Sequence, residues 1–291
     1  MRPGFPLFLC AALAAPGLRA AIPVGLSASA SWVDNISRTS DAATSRDGAR
    51  YEATLTADLN RQFARDWFLN AGLDLRSGTV PDFDRNNALE LGPRARVRRK
   101  FGLGPFAPSA SAAAGLAYRA TGLAGDDGWL ATAELRAAKR LTETLRLALS
   151  GGWLEQYAGH STFDIRQQTA RIELGWDVSE RWSLTVSHGR LWGDLVANAS
   201  GPVYASALAG GLGPAVQDYY NRIAFETSHA YGPGWVSYRV HARADVWSAS
   251  LNRAFWDRAS AELRVDGAAV RSQVGVRYET DSYSLSLALR F

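Results

Sequence analysis

Cysteine is nearly absent. Cys10 is the only one, and it falls in an N-terminal stretch that reads as a removable leader. A mature chain without thiols excludes disulfides, thiol catalysis and thiolate metal sites, and it suits an oxidising envelope. Long apolar runs are also missing. After Ala21 no stretch reaches the ~18 residues that mark a transmembrane helix. Charge of one sign is scarce: 32 basic residues face 28 acidic ones. No long basic block occurs, so nothing points to nucleic acid as a partner. Histidine is limited to four residues, His160, His188, His229 and His241. No two of them have metal-ligand spacing, and neither a metal nor a cofactor is expected. Gly210–Gly213 is not a phosphate loop, because the following lysine and helix are missing.

The leader itself has a recognisable grammar. Arg2 gives a positive start, Phe5 to Leu18 is an apolar stretch of about 14 residues, and Leu18-Arg19-Ala20 offers an imperfect cleavage site before Ala21. Pro6 and Pro16 argue against a buried helix there. Bulky Leu9 argues against a lipoprotein signal at Cys10. The expectation is a secretory signal over residues 1–20 and a single domain over residues 21–291.

That domain carries one pattern throughout. Apolar and polar residues alternate in segments of about ten, the period of a strand with two unlike faces. Tyr51, Ala53, Leu55, Ala57 and Leu59 share one face; Glu52, Thr54, Thr56 and Asp58 share the other. The same pattern recurs at Trp67–Arg76, Leu89–Arg98, Ser109–Arg119, Trp129–Ala137, Leu145–Trp153, Thr169–Trp176 and Tyr283–Phe291. Between segments, short connections (Arg61–Asp66, Lys100–Pro105, Arg140–Glu143, Ser179–Arg181, Tyr231–Gly234, Ala254–Arg258) alternate with generally longer ones. The longer set is Asn35–Gly48, Gly78–Asn86, Ala120–Gly128, Gln156–Ser161 and Gly193–Val216. Six short turns predict an all-β, up-and-down antiparallel barrel of about 14 strands. The count is softest after Tyr231, where Trp235–Asn252 makes a short hairpin and the phase changes between Tyr278 and Tyr283. There, about 12 or about 16 strands also fit.

Alternation alone does not say which face points inward. Three features place the apolar face outside, in lipid. The polar faces carry charges of both signs with Gly, Ser and Thr, as a watery lumen requires. The ten tryptophans fall near strand ends at two levels: Trp32, Trp129, Trp153, Trp192 and Trp247 on the long-loop side, and Trp67, Trp176, Trp182, Trp235 and Trp256 on the short-turn side. Rings at two levels match interfacial girdles. Short turns on one rim and long loops on the other match periplasmic and outer rims. Because lipid leaves no backbone group satisfied at an open edge, the first and last strands should pair.

The final segment, Ser282-Tyr-Ser-Leu-Ser-Leu-Ala-Leu-Arg-Phe291, resembles the C-terminal assembly signal of Gram-negative outer-membrane β-barrel proteins, with Tyr283, Leu287, Leu289 and Phe291 at its aromatic and apolar positions. Ser286 departs from the glycine often found there. The resemblance implies insertion by the barrel-assembly machinery into the bacterial outer membrane after export through the periplasm. Outer-membrane lipid and lipopolysaccharide are the implied surroundings. It fixes no subfamily, although porins and the barrels of surface-lipoprotein assembly modifiers are similar in size.

On this register the inner face holds the basic residues Arg76, Arg94, Arg96, Arg98, Arg119, Arg136, Arg146, Arg171, Arg222, Arg239, Arg243 and Arg264. Its acids are Glu52, Asp58, Asp74, Glu90, Glu134, Glu173, Asp177, Glu226, Asp245, Glu262 and Asp266. One reading is a salt-bridged wall; the other is a pore lining that sorts solutes by charge, with only Arg94, Arg96 and Arg98 forming a one-sign ladder. The loop Gly193–Val216, with Ala207, Leu208 and Leu212, is either a surface loop or a segment that folds in and narrows the pore. His160, Ser161 and Asp164 form the one cluster that suggests a hydrolase. Adjacent residues of a strand point oppositely, which disfavours His160 and Ser161 as base and nucleophile, and no enzyme is expected. The expectation is a porin-like channel for passive diffusion of small hydrophilic solutes. The alternatives are a closed structural, adhesion or secretion barrel.

Overall fold

The computed structural model describes residues 23–209 and 214–291. The expected leader lies outside the described residues, as does Gly210–Gly213. Among the described residues no helix is long and apolar enough to cross a membrane; the chain is built from strands.

In chain order these are β1 (Val24–Val33), β2 (Gly48–Ala64), β3 (Trp67–Thr79), β4 (Ala88–Lys100), β5 (Ser109–Thr121), β6 (Gly128–Arg140), β7 (Leu145–Ala158), β8 (Ile165–Asp177) and β9 (Trp182–Ser200). Two helices follow, α1 (Gly201–Ala209) and α2 (Pro214–Arg222), then the two-residue β10 (Phe225–Glu226), and finally β11 (Trp235–Trp256), β12 (Ala259–Ser272) and β13 (Arg277–Arg290). Every strand except β10 joins an antiparallel up-and-down barrel. β9 pairs directly with β11, and β13 closes on β1 from Gly25↔Arg290 to Val33↔Ser282. Closure removes every edge that hydrocarbon would leave unpaired.

The barrel has 12 strands, with β10 outside it, rather than about 14. The difference has one source. Tyr231–Gly234 is not a turn on the short-turn rim, and Trp235–Asn252 is not a hairpin. Trp235–Trp256 is one strand of 22 residues, and its first third stands above the barrel. The phase change between Tyr278 and Tyr283 is likewise no break, since β12 and β13 stay in one register from Ala259↔Leu289 to Arg271↔Arg277.

The faces are as expected. Leu55, Leu135, Leu149, Ile172, Leu263, Leu285 and Leu287 are exposed on the outside. Tyr283, Leu289 and Phe291 of the terminal strand are also outward and exposed, and the Phe291 amide donates to the Val24 carbonyl at the seam (2.8 Å). Aromatic rings collect at two levels. Tyr118 and Trp129 meet edge-to-face at 5.3 Å on the long-loop side. On the short-turn side Arg99 lies over Trp67 at 5.2 Å, and Arg253 over Trp182 at 5.0 Å, contacts worth about 0.5–1 kcal/mol at exposed sites. Trp192, opposite Arg243 and four residues above the Trp247 rung, stands above the upper girdle, and Trp235 belongs to neither. It is 5% exposed and packs on Tyr231 at 5.5 Å between ring centres.

The lumen and its roof as candidate functional site

The strand period fixes what points inward. On β2 to β4 the alternate positions place Asp58, Asp74 and Arg94 together. Arg94 meets Asp58 at 2.7 Å and Asp74 at 2.8 Å, and also donates to Asn70 at 2.8 Å. Arg96 reaches Glu134 at 3.3 Å, Arg136 reaches Glu173 at 2.6 Å, and Arg50 reaches Glu52 at 2.5 Å. Glu90 lies between Arg76 (3.9 Å) and Arg119 (3.7 Å). Arg146 and Arg171 sit on rungs adjacent to Glu173, opposite Gly175 and Ser150 respectively. The expected lining residues therefore share one face, and most are matched in ion pairs. Five expected members do not. Arg243 and Asp245 point outward, because Trp247 and Leu251 on the same face of β11 point to lipid. Arg239 and Glu226 belong to the roof described below, and Arg222 ends α2.

The charge is not spread around the lumen. The inward positions of β9, β11, β13 and β1 are mainly hydroxyls: Ser183, Thr185, Ser187, Ser248, Ser250, Ser282, Ser284, Ser286, Ser27 and Ser29. Ser187 and Ser248 bond to each other at 2.7 Å. Within this wall β12 carries Glu262 and the Arg264–Asp266 pair, 2.6 Å apart. An ionic wall thus faces a serine wall. Toward the short-turn rim the ionic wall encloses a cavity of about 710 Å³ lined by Arg96, Arg98, Arg136 and Arg146 with Asn60, Gln62, Asn70, Ser109 and Ser111; no carboxylate lines it. Arg98 stacks over inward Phe68 at 4.9 Å.

The opposite end is covered. β9 and β11 rise beyond the other strands and carry α1, α2 and β10 across the mouth. Arg85 donates to the Ser228 carbonyl (3.0 Å) and Asn86 to that of Ala230 (3.0 Å), both from the β3–β4 loop, which lies across the barrel from the β9–β11 pair. Asn198 donates to Ser37 O (2.8 Å) and Tyr231 to Ile36 O (2.8 Å) on the β1–β2 loop. Arg239 donates to Asp164 O (2.6 Å), and Ser161 to Ile223 O (2.5 Å). The roof has a core of its own, formed by Ala197, Tyr204, Leu208, Tyr220, Ala224, Val236, Tyr238 and Val240. Tyr204 joins the helices by donating to Tyr220 O at 3.0 Å, and burial pushes its phenol above the ordinary tyrosine range. Under the roof, Arg50, Arg119, Asp126 and Gln156 share a cavity of about 180 Å³ with Asn198 and Ser237. Gln156 donates to Asp126 at 2.7 Å. Burial raises the Asp126 carboxyl above the usual range, with Arg119 and Gln156 acting against it.

The Gly193–Val216 loop therefore contributes to a folded cover, of which Gly193–Ser200 is strand. The alternation pattern gives no hint of Tyr204, Tyr220, Tyr231 or Arg239 as roof residues; the run of small apolar residues from Ala205 to Ala209 without period two is the available signal. His160, Ser161 and Asp164 are not assembled for catalysis. The His160 ring accepts from Thr162 N (3.3 Å), Ser161 holds Ile223 O, and Asp164 accepts from Ala158 N (2.7 Å). Among the described residues no group of three His, Cys, Asp or Glu is placed to hold a metal ion.

No family model and no curated relative matches the chain. Solved structures do. The COG4313 outer membrane channel from Pseudomonas putida F1 superposes with a TM-score of 0.61 at 11% identity, covering 93% of this chain and 95% of that one. The NanC porin matches with a TM-score of 0.45 at 8% identity, over 91% of this chain and 98% of that one. The KdgM porin gives 0.42 at 9%, over 91% and 99%. At such identities the likeness is one of fold, and it rests on the first of these. The chain has the fold of a Gram-negative outer-membrane β-barrel.

Proposed function

We propose that this chain is a porin-like channel of the outer membrane, passing small hydrophilic solutes by diffusion, with a preference for anions set near its short-turn end. The carrying observation is the inner face: hydroxyls and ion pairs continue from the roof to the lower rim, while leucines face outward. Arg94, Arg96, Arg98, Arg136, Arg146, Arg171, Glu52, Asp58, Asp74, Glu90, Glu134 and Glu173 are the proposed lining. Within it, Asp58 and Asp74 hold Arg94, whereas no carboxylate lines the cavity around Arg98 and Arg146. Arg146 shares the field of Glu173, which Arg136 holds, so Arg98 carries the least compensated charge, and low-dielectric walls focus it. Export, and insertion by the barrel-assembly machinery through the strand ending at Phe291, belong to the same proposal. Catalysis does not.

The roof supports a second reading, a barrel closed in its resting state that acts through its outer surface. Planar-bilayer recording separates the two. The full chain should show small steps. Replacing Pro202–Pro233 by a two-residue Asn-Gly turn, compatible with the flanking antiparallel strands, should enlarge them several-fold. Arg98→Glu with Arg146→Glu should shift the reversal potential toward cations. Silence from both the full chain and the roofless variant rules out the channel.

A further inference from the structure

The outer surface above the long-loop girdle carries a feature that the lumen does not explain. Arg243 on β11 is paired in register with Arg271 on β12, and Arg271 with Arg277 on β13. All three point outward and are exposed. Like charges directly opposite each other destabilise a sheet, and here three adjacent strands repeat the conflict in one row. Other outward arginines on this rim are matched: Arg166 meets Glu155 at 2.5 Å and Arg190 meets Asp245 at 2.8 Å. Among the described residues no carboxylate lies within ion-pair distance of the row. Asp245, Glu279 and Asp281 face the same way but closer to the membrane belt: Asp245, held by Arg190, acts on Arg271 only at longer range, and Glu279 and Asp281 stand opposite Ala269 and Gly267.

The level of the row is set by the strands. Trp247, outward on β11, covers Gly267 so closely that a Cβ there would meet the indole at 2.2 Å, and it marks the top of the apolar belt. Arg243 is four residues further along, roughly 10 Å higher for a tilted strand. Trp192 continues the row on β9, opposite Arg243, placing an amphipathic ring beside the three cations.

We infer that Arg243, Arg271 and Arg277, flanked by Trp192, form a docking surface for the phosphorylated head group of an outer-leaflet glycolipid. Guanidinium groups recognise phosphate oxygens bidentately. A basic cluster just above the hydrocarbon is where anionic head groups reside, and the sugar of a glycolipid supplies a face for the indole. The inference depends on the barrel's orientation and not on whether the lumen conducts.

The test is lipid retention by the full chain reconstituted in phosphatidylcholine vesicles containing either bis-phosphorylated lipid A or phosphatidylglycerol, extracted into detergent and read by native mass spectrometry. Lipid A should be retained over phosphatidylglycerol, and retention should fall as salt rises. Each of Arg243→Gln, Arg271→Gln and Arg277→Gln should weaken it about five-fold; Arg166→Gln, already matched by Glu155, should weaken it far less. The triple Arg→Lys variant should keep part of the binding. Equal retention of the two lipids, retention indifferent to salt, or Gln variants that bind like the parent would each overturn the assignment.

Discussion

β9 and β11 pass through two environments without changing register, and their side chains reverse meaning between them. In the belt, Leu184, Val186, Ala249 and Leu251 face out while Ser187, Ser248 and Ser250 face in. Above Trp247 the pairing continues unbroken from Val246↔Gly189 to Trp235↔Ser200. There Asp245, Arg243 and Arg190 take the outer face, and Ala244, Ala242 and Val240 take the other. No bulge intervenes at that point. What changes is the medium: below, lipid lies outside and water inside; just above Trp247, water lies outside and the roof's packed core inside; at the tip, Asn198, Ser237 and Trp235, on the same face as Arg243, are buried against the β1–β2 loop and Tyr231. Hydrophobic phase reports the solvent on each face, and a strand crossing a boundary inverts its pattern without moving its backbone.

The sharpest way to break that comparison is to place the same charge on the outer face of both regions. Leu149→Arg, in the belt, should cost about 2–4 kcal/mol near the bilayer midplane. Ala269→Arg, outward on the upper part of β12 between Asp245 and Glu279, should stay within about 0.5 kcal/mol. Denaturant titration in lipid reads both. Equal costs would mean that the belt boundary is misplaced.

This inversion also explains what is legible in the sequence. Strict alternation from Tyr51 to Trp176 identifies the strands, the faces and the girdles, because those segments keep lipid on one side and water on the other throughout. Arg94, Arg96, Asp58 and Glu173 read as inward, correctly, for the same reason. Arg243 and Asp245 read as inward, wrongly, because polarity is equated with lumen where water lies outside. The strand count fails at Tyr231–Gly234 on similar grounds: a Gly-Pro-Gly turn looks alike on a barrel rim and in a roof. The serine wall is visible only in part, at the final strand, since serine in a period-two pattern is equally at home in any polar face.

The roof's independence gives the next effect. Val240 is 0% exposed in the roof core. Val240→Ala should leave a void and cost about 1–2 kcal/mol, confined to local opening. Hydrogen exchange at α1 and α2 should accelerate, while the belt's denaturant midpoint stays fixed. A shifted belt midpoint would show one cooperative unit where the comparison requires two. Smaller again is Tyr231→Phe, which removes the bond to Ile36 O (2.8 Å) but keeps the ring against Phe83 (5.0 Å). A loss of about 1 kcal/mol corresponds to roughly a five-fold rise in the open population, measurable as longer open dwell times if the pore conducts and as faster roof exchange in either case.

The smallest effect is in pH. Asp126 lies beneath the roof, and burial raises its carboxyl above the usual aspartate range. The sign follows from linkage. A raised carboxyl means that the charged form is penalised in the roofed state, and the penalty is fully present above the folded-state value. As pH falls through that value toward the ordinary range, the penalty is relieved and the roof tightens. Protection of the α2 amides, corrected for intrinsic exchange, should therefore rise as pH falls toward the ordinary aspartate range, and Asp126→Asn should remove that part of the dependence. If Asp126→Asn leaves that slope unchanged, the buried carboxylate is only a structural acceptor for Gln156.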